Sequence, residues 1–343
     1  PVVANAFSVM GVVTALRFLE GLYRSSMVGL QKQVQLNAIN SSMATLRGLG
    51  AVGVLAWISP SIEAFFVWQG MISLLTLFLF ARATYAAIPF GGSSGRFSLD
   101  ALKKVWRFSG GMMGFAFLSL LLTQVDKVLL SRMLLLSDYG YYALAAAVAG
   151  MVFMLTSPVT QAFLPHLSEL HARNDETRLV QTFHKSAQLV TVIMGSAGFM
   201  LVAFSGTILC LWTHDAGLAS RSAALLSILC FGNILSGLTW VLLSTQSAYG
   251  WTGLTVRMTL ASVAVFIPAI LWVTPRYGAE GAAWTWVGLN TGSVLLGAQF
   301  MFRKILRTEK KAWYLNDVIQ PLFAAGIVAF ALAWVMPSKM VPA

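Results

Sequence analysis

Long apolar runs, each near the length of a bilayer crossing, repeat along the chain with short polar breaks between them. A helix needs about 20 residues to cross about 30 Å of hydrocarbon, and there it must pair its own backbone N–H and C=O groups. Uncharged runs of that size occupy residues 187–212, 222–249, 258–275, 281–302 and 318–338. Residues 64–81, 108–125 and 139–165 are nearly as clear, and two charge-interrupted helices cover 1–31 and 33–59. The pattern predicts ten spans in an all-α polytopic transmembrane bundle. Short alternating segments of the barrel type are not what the chain offers.

Composition excludes the soluble alternatives. Of the 343 residues, 57% are apolar and 10% charged, with a mean hydropathy of +0.75. Soluble domains carry about 25% charged residues. A net charge of +11 would suggest nucleic acid in a soluble protein. Here the excess sorts by loop instead. Lys32 follows the first span, and Arg82, Arg96, Lys103, Lys104 and Arg107 follow the third. Arg173, Arg178 and Lys185 follow the fifth, and Arg303, Lys304, Arg307, Lys310 and Lys311 the ninth. The intervening loops hold only Arg132, Arg221, Arg276 and Lys339. Positive loops face the cytoplasm, so residue 1 lies outside and an odd number of helices is expected upstream. Single cysteines placed at Gly95 and Lys310, after removal of Cys210 and Cys230, should therefore resist an impermeant thiol reagent in intact cells. Those at Pro60 and Asp215 should react, and labelling at position 95 would reverse the orientation. The two native cysteines lie in apolar runs and predict no disulfide framework.

Residues 88–95 are the one flexible, low-complexity piece, and they lead into a helix over 97–107 with Ser98 as its cap. Leu99, Leu102 and Trp106 share a face there, as in a helix lying at the inner interface. The expected domains are the remainder of a first lobe (1–90), this linker (91–107), a second lobe (108–302) and a basic loop with an extra span (303–343). Loops assigned to the outer side are short, which leaves little material for an enzyme working on glycans at the outer face.

Candidate chemistry starts with Arg17, Glu20 and Arg24, at i, i+3 and i+7 on one helical face. Each mid-bilayer charge costs about 2.5–3.5 kcal/mol on insertion scales. The triplet is either an internal salt-bridge cluster or the cationic wall of a wet cavity. Glu20 can neutralise one arginine, which leaves positive charge for an anion, and the guanidinium fork suits phosphate oxygens. Arg47 adds to that wall, and Asn37, Asn40, Ser41 and Ser42 make the same helix polar, for cavity lining or for helix-to-helix hydrogen bonds. Asp126 and Lys127 sit within the fourth span; neighbours in sequence point about 100° apart, so mutual pairing is not expected. Asp126 and Glu20 are candidates for ion coupling, or for structural ion pairs. Gly48-Leu-Gly50-Ala-Val-Gly53 matches GxGxxG, but no strand precedes it, and close helix packing is the better reading. Pro158 and Pro165 are expected kinks. His166, His171, His184 and His214 lack metal-ligand spacing, and no nucleophile triad, CxxC pair or cofactor motif appears.

Arg17-Phe-Leu-Glu-Gly-Leu-Tyr-Arg-Ser-Ser-Met-Val-Gly-Leu-Gln-Lys-Gln33 resembles the fourth helix of Wzx-type O-antigen and polysaccharide flippases. These belong to the multidrug/oligosaccharidyl-lipid/polysaccharide exporter superfamily. Thr123–Lys127, Asp138–Ala145, Ser157–Ser168 and Tyr277–Trp284 look like the same family. The resemblance implies two six-helix lobes around a central cavity in the bacterial inner membrane. Such a protein moves undecaprenyl-diphosphate-linked oligosaccharide from the inner to the outer leaflet. Spans one to three are then helices four to six of the first lobe, and spans four to nine are the second. Arg17, Arg24, Arg47 and Lys127 would bind the substrate's anionic part. Expected partners are the lipid-linked oligosaccharide, membrane lipids, and a polysaccharide polymerase with its chain-length regulator, with no nucleic acid and no cofactor. Alternatives are a drug/cation antiporter of the same superfamily, whose cavity should favour carboxylates, and an O-antigen polymerase or ligase, which would need large outer loops.

Overall fold

The computed structural model describes residues 2–88 and 98–335. Most of the flexible joint expected over 88–95, and the end of the last expected span, lie outside them. Every regular element among the described residues is helical. The helices are α1 (Val2–Gly29), α2 (Gln33–Gly53, with a π turn Val54–Ile58), α3 (Ile62–Ala87), α4 (Leu99–Met133), α5 (Leu136–Gly150) and α6 (Val152–Ala172). They continue as α7 (Glu176–Ala203), α8 (Ser205–Thr213), α9 (Ala216–Ala248), α10 (Thr252–Lys304) and α11 (Lys310–Val335). Eight helical stretches among the described residues are long and apolar enough to cross a membrane. The chain is a multi-pass membrane protein.

Polar side chains mark the starts of helices where the runs meet water. The Ser61 side chain accepts from Ala64 N at 3.2 Å, Asp175 from Arg178 N at 3.1 Å and Asp215 from Leu218 N at 3.0 Å, each satisfying a first-turn N–H. These caps explain why α7 begins at Glu176, before the uncharged run. The 53-residue α10 folds back at Gly278, whose φ of 59° and ψ of −149° suit only glycine. Its two arms match the separate runs expected at 258–275 and 281–302, and Met258 returns against Gly297. Two breaks differ from the expected spans. Run 139–165 divides into α5 and α6 at Met151, and run 187–212 into α7 and α8 at Phe204. The helix expected over 97–107 begins at Leu99 and continues without interruption to Met133.

The chain divides into two compact units, residues 1–97 and 98–343. In the first, α3 packs against both α1 and α2, around Met27, Leu36 and Phe80. A Cβ on Gly50 would stand 2.1 Å from the Trp68 ring, whereas Gly48 has nothing within 4 Å. Of the GxGxxG glycines, Gly50 is thus the one that lets α2 approach α3. There Trp68 Nε1 donates to the Arg47 carbonyl at 3.3 Å and fixes that stretch of α2.

In the second unit α9 is central and touches α5, α6, α7, α8 and α10. Leu226, Leu229 and Cys230 face one core with Tyr142, Phe266 and Ala283. Leu238, Val241 and Leu242 face another with Phe183, Met194 and Trp313. Cys210 and Cys230 are free thiols.

Candidate functional site

The first unit gathers the arginines around one carboxylate. Arg47 Nη2 on α2 lies 3.8 Å from Glu20 Oε1 on α1, with the two side chains 25% and 14% exposed. That spacing is a charge contact rather than a hydrogen bond. Glu20 Oε1 and Arg47 Nε are both buried without a hydrogen-bond partner, and the fully buried Ser73 hydroxyl on α3 sits beside the carboxylate without a full hydrogen bond. Arg17 Nη2 donates to Gln69 Oε1 on α3 at 3.2 Å. Arg24 is exposed on the same side of α1, within electrostatic reach of Glu20. One ion pair joins α1 to α2, and two further guanidinium groups keep net positive charge beside it. A half-satisfied arginine in apolar helices is a ready hydrogen-bond donor to water or an anion. Asn37, Ser41 and Ser42 are exposed along α2, and Asn40 is half-buried.

The second unit separates Asp126 from Lys127. Tyr142 on α5 donates its hydroxyl to Asp126 Oδ2 at 3.0 Å, and Asp126 Oδ1 is buried with no partner. Lys127 Nζ instead donates to Gln124 Oε1 at 3.2 Å. The two neighbours diverge, as helical geometry requires.

A third cluster was not foreseen. His184 on α7 stands between two carboxylates from the end of the chain. Its Nδ1 meets Asp317 Oδ2 in a short contact, and its Nε2 lies 3.1 Å from Glu309 Oε2. Gln188 Nε2 donates to Asp317 Oδ1 at 2.9 Å, and the Thr308 hydroxyl to Glu309 Oε1 at 2.7 Å. The Thr308 hydroxyl first, and His184 second, hold the Glu309 carboxyl below the usual carboxylate range. Asp317 is wholly buried. The cluster ties α11 to α7. Its one sequence signal is a lone carboxylate at the threshold of the last apolar run. No group of three His, Cys, Asp or Glu among the described residues is arranged to hold a metal.

Residues 1–213 match the family model described as "Polysaccharide biosynthesis protein". Over 281 residues the chain is 21% identical to a Shigella flexneri protein named "Putative O-antigen transporter". That stretch is 82% of this chain and 66% of the relative, so the chain spans just under two thirds of the relative's length. No solved structure matches.

Proposed function

Because the chain belongs to the polysaccharide biosynthesis protein family, we propose that it forms part of a flippase for lipid-linked oligosaccharide. In this reading an undecaprenyl-diphosphate-linked repeat unit crosses from the inner to the outer leaflet of a bacterial inner membrane. Transport proceeds by alternating access. No covalent step is involved. A polysaccharide polymerase and its chain-length regulator take up the product.

The observation that carries the reading is the arginine excess around Glu20: three guanidinium groups gather near one carboxylate within apolar helices. A diphosphate supplies the charge they can match, and Lys127 is a separate candidate cation within the second unit. A cation exporter would need the opposite balance. The connections on the side assigned as outer support transport over glycan chemistry. They are tight turns at Ser59–Ser61, Leu134–Leu135, His214–Asp215 and Gly278.

Depletion of the protein from cells that make it tests the proposal. Surface polysaccharide should disappear while lipid-linked precursor accumulates inside. If surface polysaccharide is retained and no precursor accumulates, the reading fails.

A further inference from the structure

Resting on the flippase reading, we propose that a pocket within the second unit, between α4, α9 and the two arms of α10, binds a neutral sugar ring of the transported lipid. The cavity measures about 130 Å³, and no charged residue lines it. Its wall is nonetheless polar for a site enclosed by apolar helices, with hydroxyl groups from all three elements and two side-chain amides.

The individual atoms define the ligand. Gln246, 1% exposed, accepts from the Thr255 hydroxyl at its Oε1 at 2.8 Å, which leaves its NH2 group as a donor. Asn290, 5% exposed, spends its Nδ2 on the Trp286 carbonyl at 2.8 Å, which leaves its Oδ1 as an acceptor. The Ser236 and Ser262 hydroxyls line the same space. Trp240 adds a broad exposed ring, held edge-to-face by Phe115 at a centroid distance of 6.4 Å. The Trp286 indole N–H is already committed to Asn233 Oδ1 at 2.9 Å, so it braces the wall rather than serving as a donor.

A donor amide, an acceptor amide and hydroxyls around an aromatic face match a polyhydroxylated ring. The electron-rich face of Trp240 meets the polarised C–H side of the sugar, and the amides meet its hydroxyls. Uncharged walls exclude the diphosphate from this pocket, and buried polar groups without partners are costly in apolar surroundings. The larger cavity alongside, about 650 Å³ and mostly apolar, offers no such set of groups. A site built to hydrogen-bond its ligand discriminates strongly against a ligand that lacks those groups.

Binding of two probes to the purified full-length chain in lipid nanodiscs tests the assignment. The probes are undecaprenyl diphosphate and the same lipid bearing one N-acetylglucosamine. The sugar-bearing probe should bind about tenfold or more tighter. Trp240→Leu and Gln246→Met should each bring the ratio close to one without changing the affinity for the bare lipid. Trp240→Phe should keep part of the preference. Should a variant fold poorly, bare-lipid binding would fall too, and Ser262→Ala, which removes one hydroxyl, then carries the test through a smaller loss of ratio. A ratio unchanged in all of these variants overturns the pocket. So does a wild-type protein that binds both probes equally, with the flippase reading left standing. A wild-type protein that binds neither overturns that reading and the pocket with it.

Discussion

Replacing Arg24 by alanine is expected to lower surface polysaccharide per membrane-inserted molecule at least tenfold, about 1.4 kcal/mol or more of lost interaction. Arg24 is the cleanest of the three arginines to test, because it is exposed while Arg47 contacts Glu20 and Arg17 contacts Gln69. Arg24→Lys keeps the charge and loses the bidentate fork, so a partial fall is expected. Arg47→Ala should be worse, for two reasons. It removes a cation, and it leaves the half-buried Glu20 carboxylate without the charge that faces it. Adding Glu20→Gln to Arg47→Ala separates the two effects: protein abundance should recover, and transport should not. Arginines that only hold helices together would lower abundance in every variant, with surface polysaccharide falling in proportion. If polysaccharide per inserted molecule stays at the parental value in Arg17→Ala, Arg24→Ala and Arg47→Ala alike, these residues do not form the anion site.

The second large effect is expected at Asp126. Glu20 has the Arg47 guanidinium opposite it at 3.8 Å, whereas the side-chain hydrogen bond to Asp126 comes from the neutral Tyr142 hydroxyl, which makes Asp126 the better placed carboxylate to exchange a proton or a cation. Asp126→Asn can still accept from the Tyr142 hydroxyl, so the fold and abundance should hold. Transport should slow about tenfold or more and lose its dependence on the ion gradient. Tyr142→Phe removes the one side-chain donor to the carboxylate and should destabilise the protein by about 1–3 kcal/mol. Gradient dependence that survives in both Asp126→Asn and Glu20→Gln would remove the two carboxylates as coupling groups.

The sequence was most legible where the membrane itself constrains it. Backbone groups in hydrocarbon must pair within a helix, so uncharged runs map onto helices almost directly. The turn of α10 was legible for a similar reason, since Pro275, Arg276, Gly278 and Glu280 interrupt an otherwise apolar stretch. The breaks at Met151 and Phe204 carry a weaker mark, since no charge or proline adjoins either and only Gly150 and Ser205-Gly206 interrupt the apolar run there. Candidate residues followed the same division. Arg17, Glu20 and Arg24 share a face by spacing alone. Their partners Gln69 and Arg47 lie on other helices, and helix rotation cannot be read from an apolar sequence of low amphipathicity. The same holds for Tyr142 against Asp126, and for His184 against Asp317, 133 residues apart.

The most direct test of the flippase account is the transbilayer movement of lipid-linked sugar in membrane vesicles from cells producing the protein. Undecaprenyl-diphosphate-linked sugar presented at the cytoplasmic face should become inaccessible there to an impermeant sugar-oxidising reagent, and an Arg24→Ala vesicle of equal protein content should fail to protect it. Equal protection in vesicles with the protein, with Arg24→Ala and without either would contradict the account.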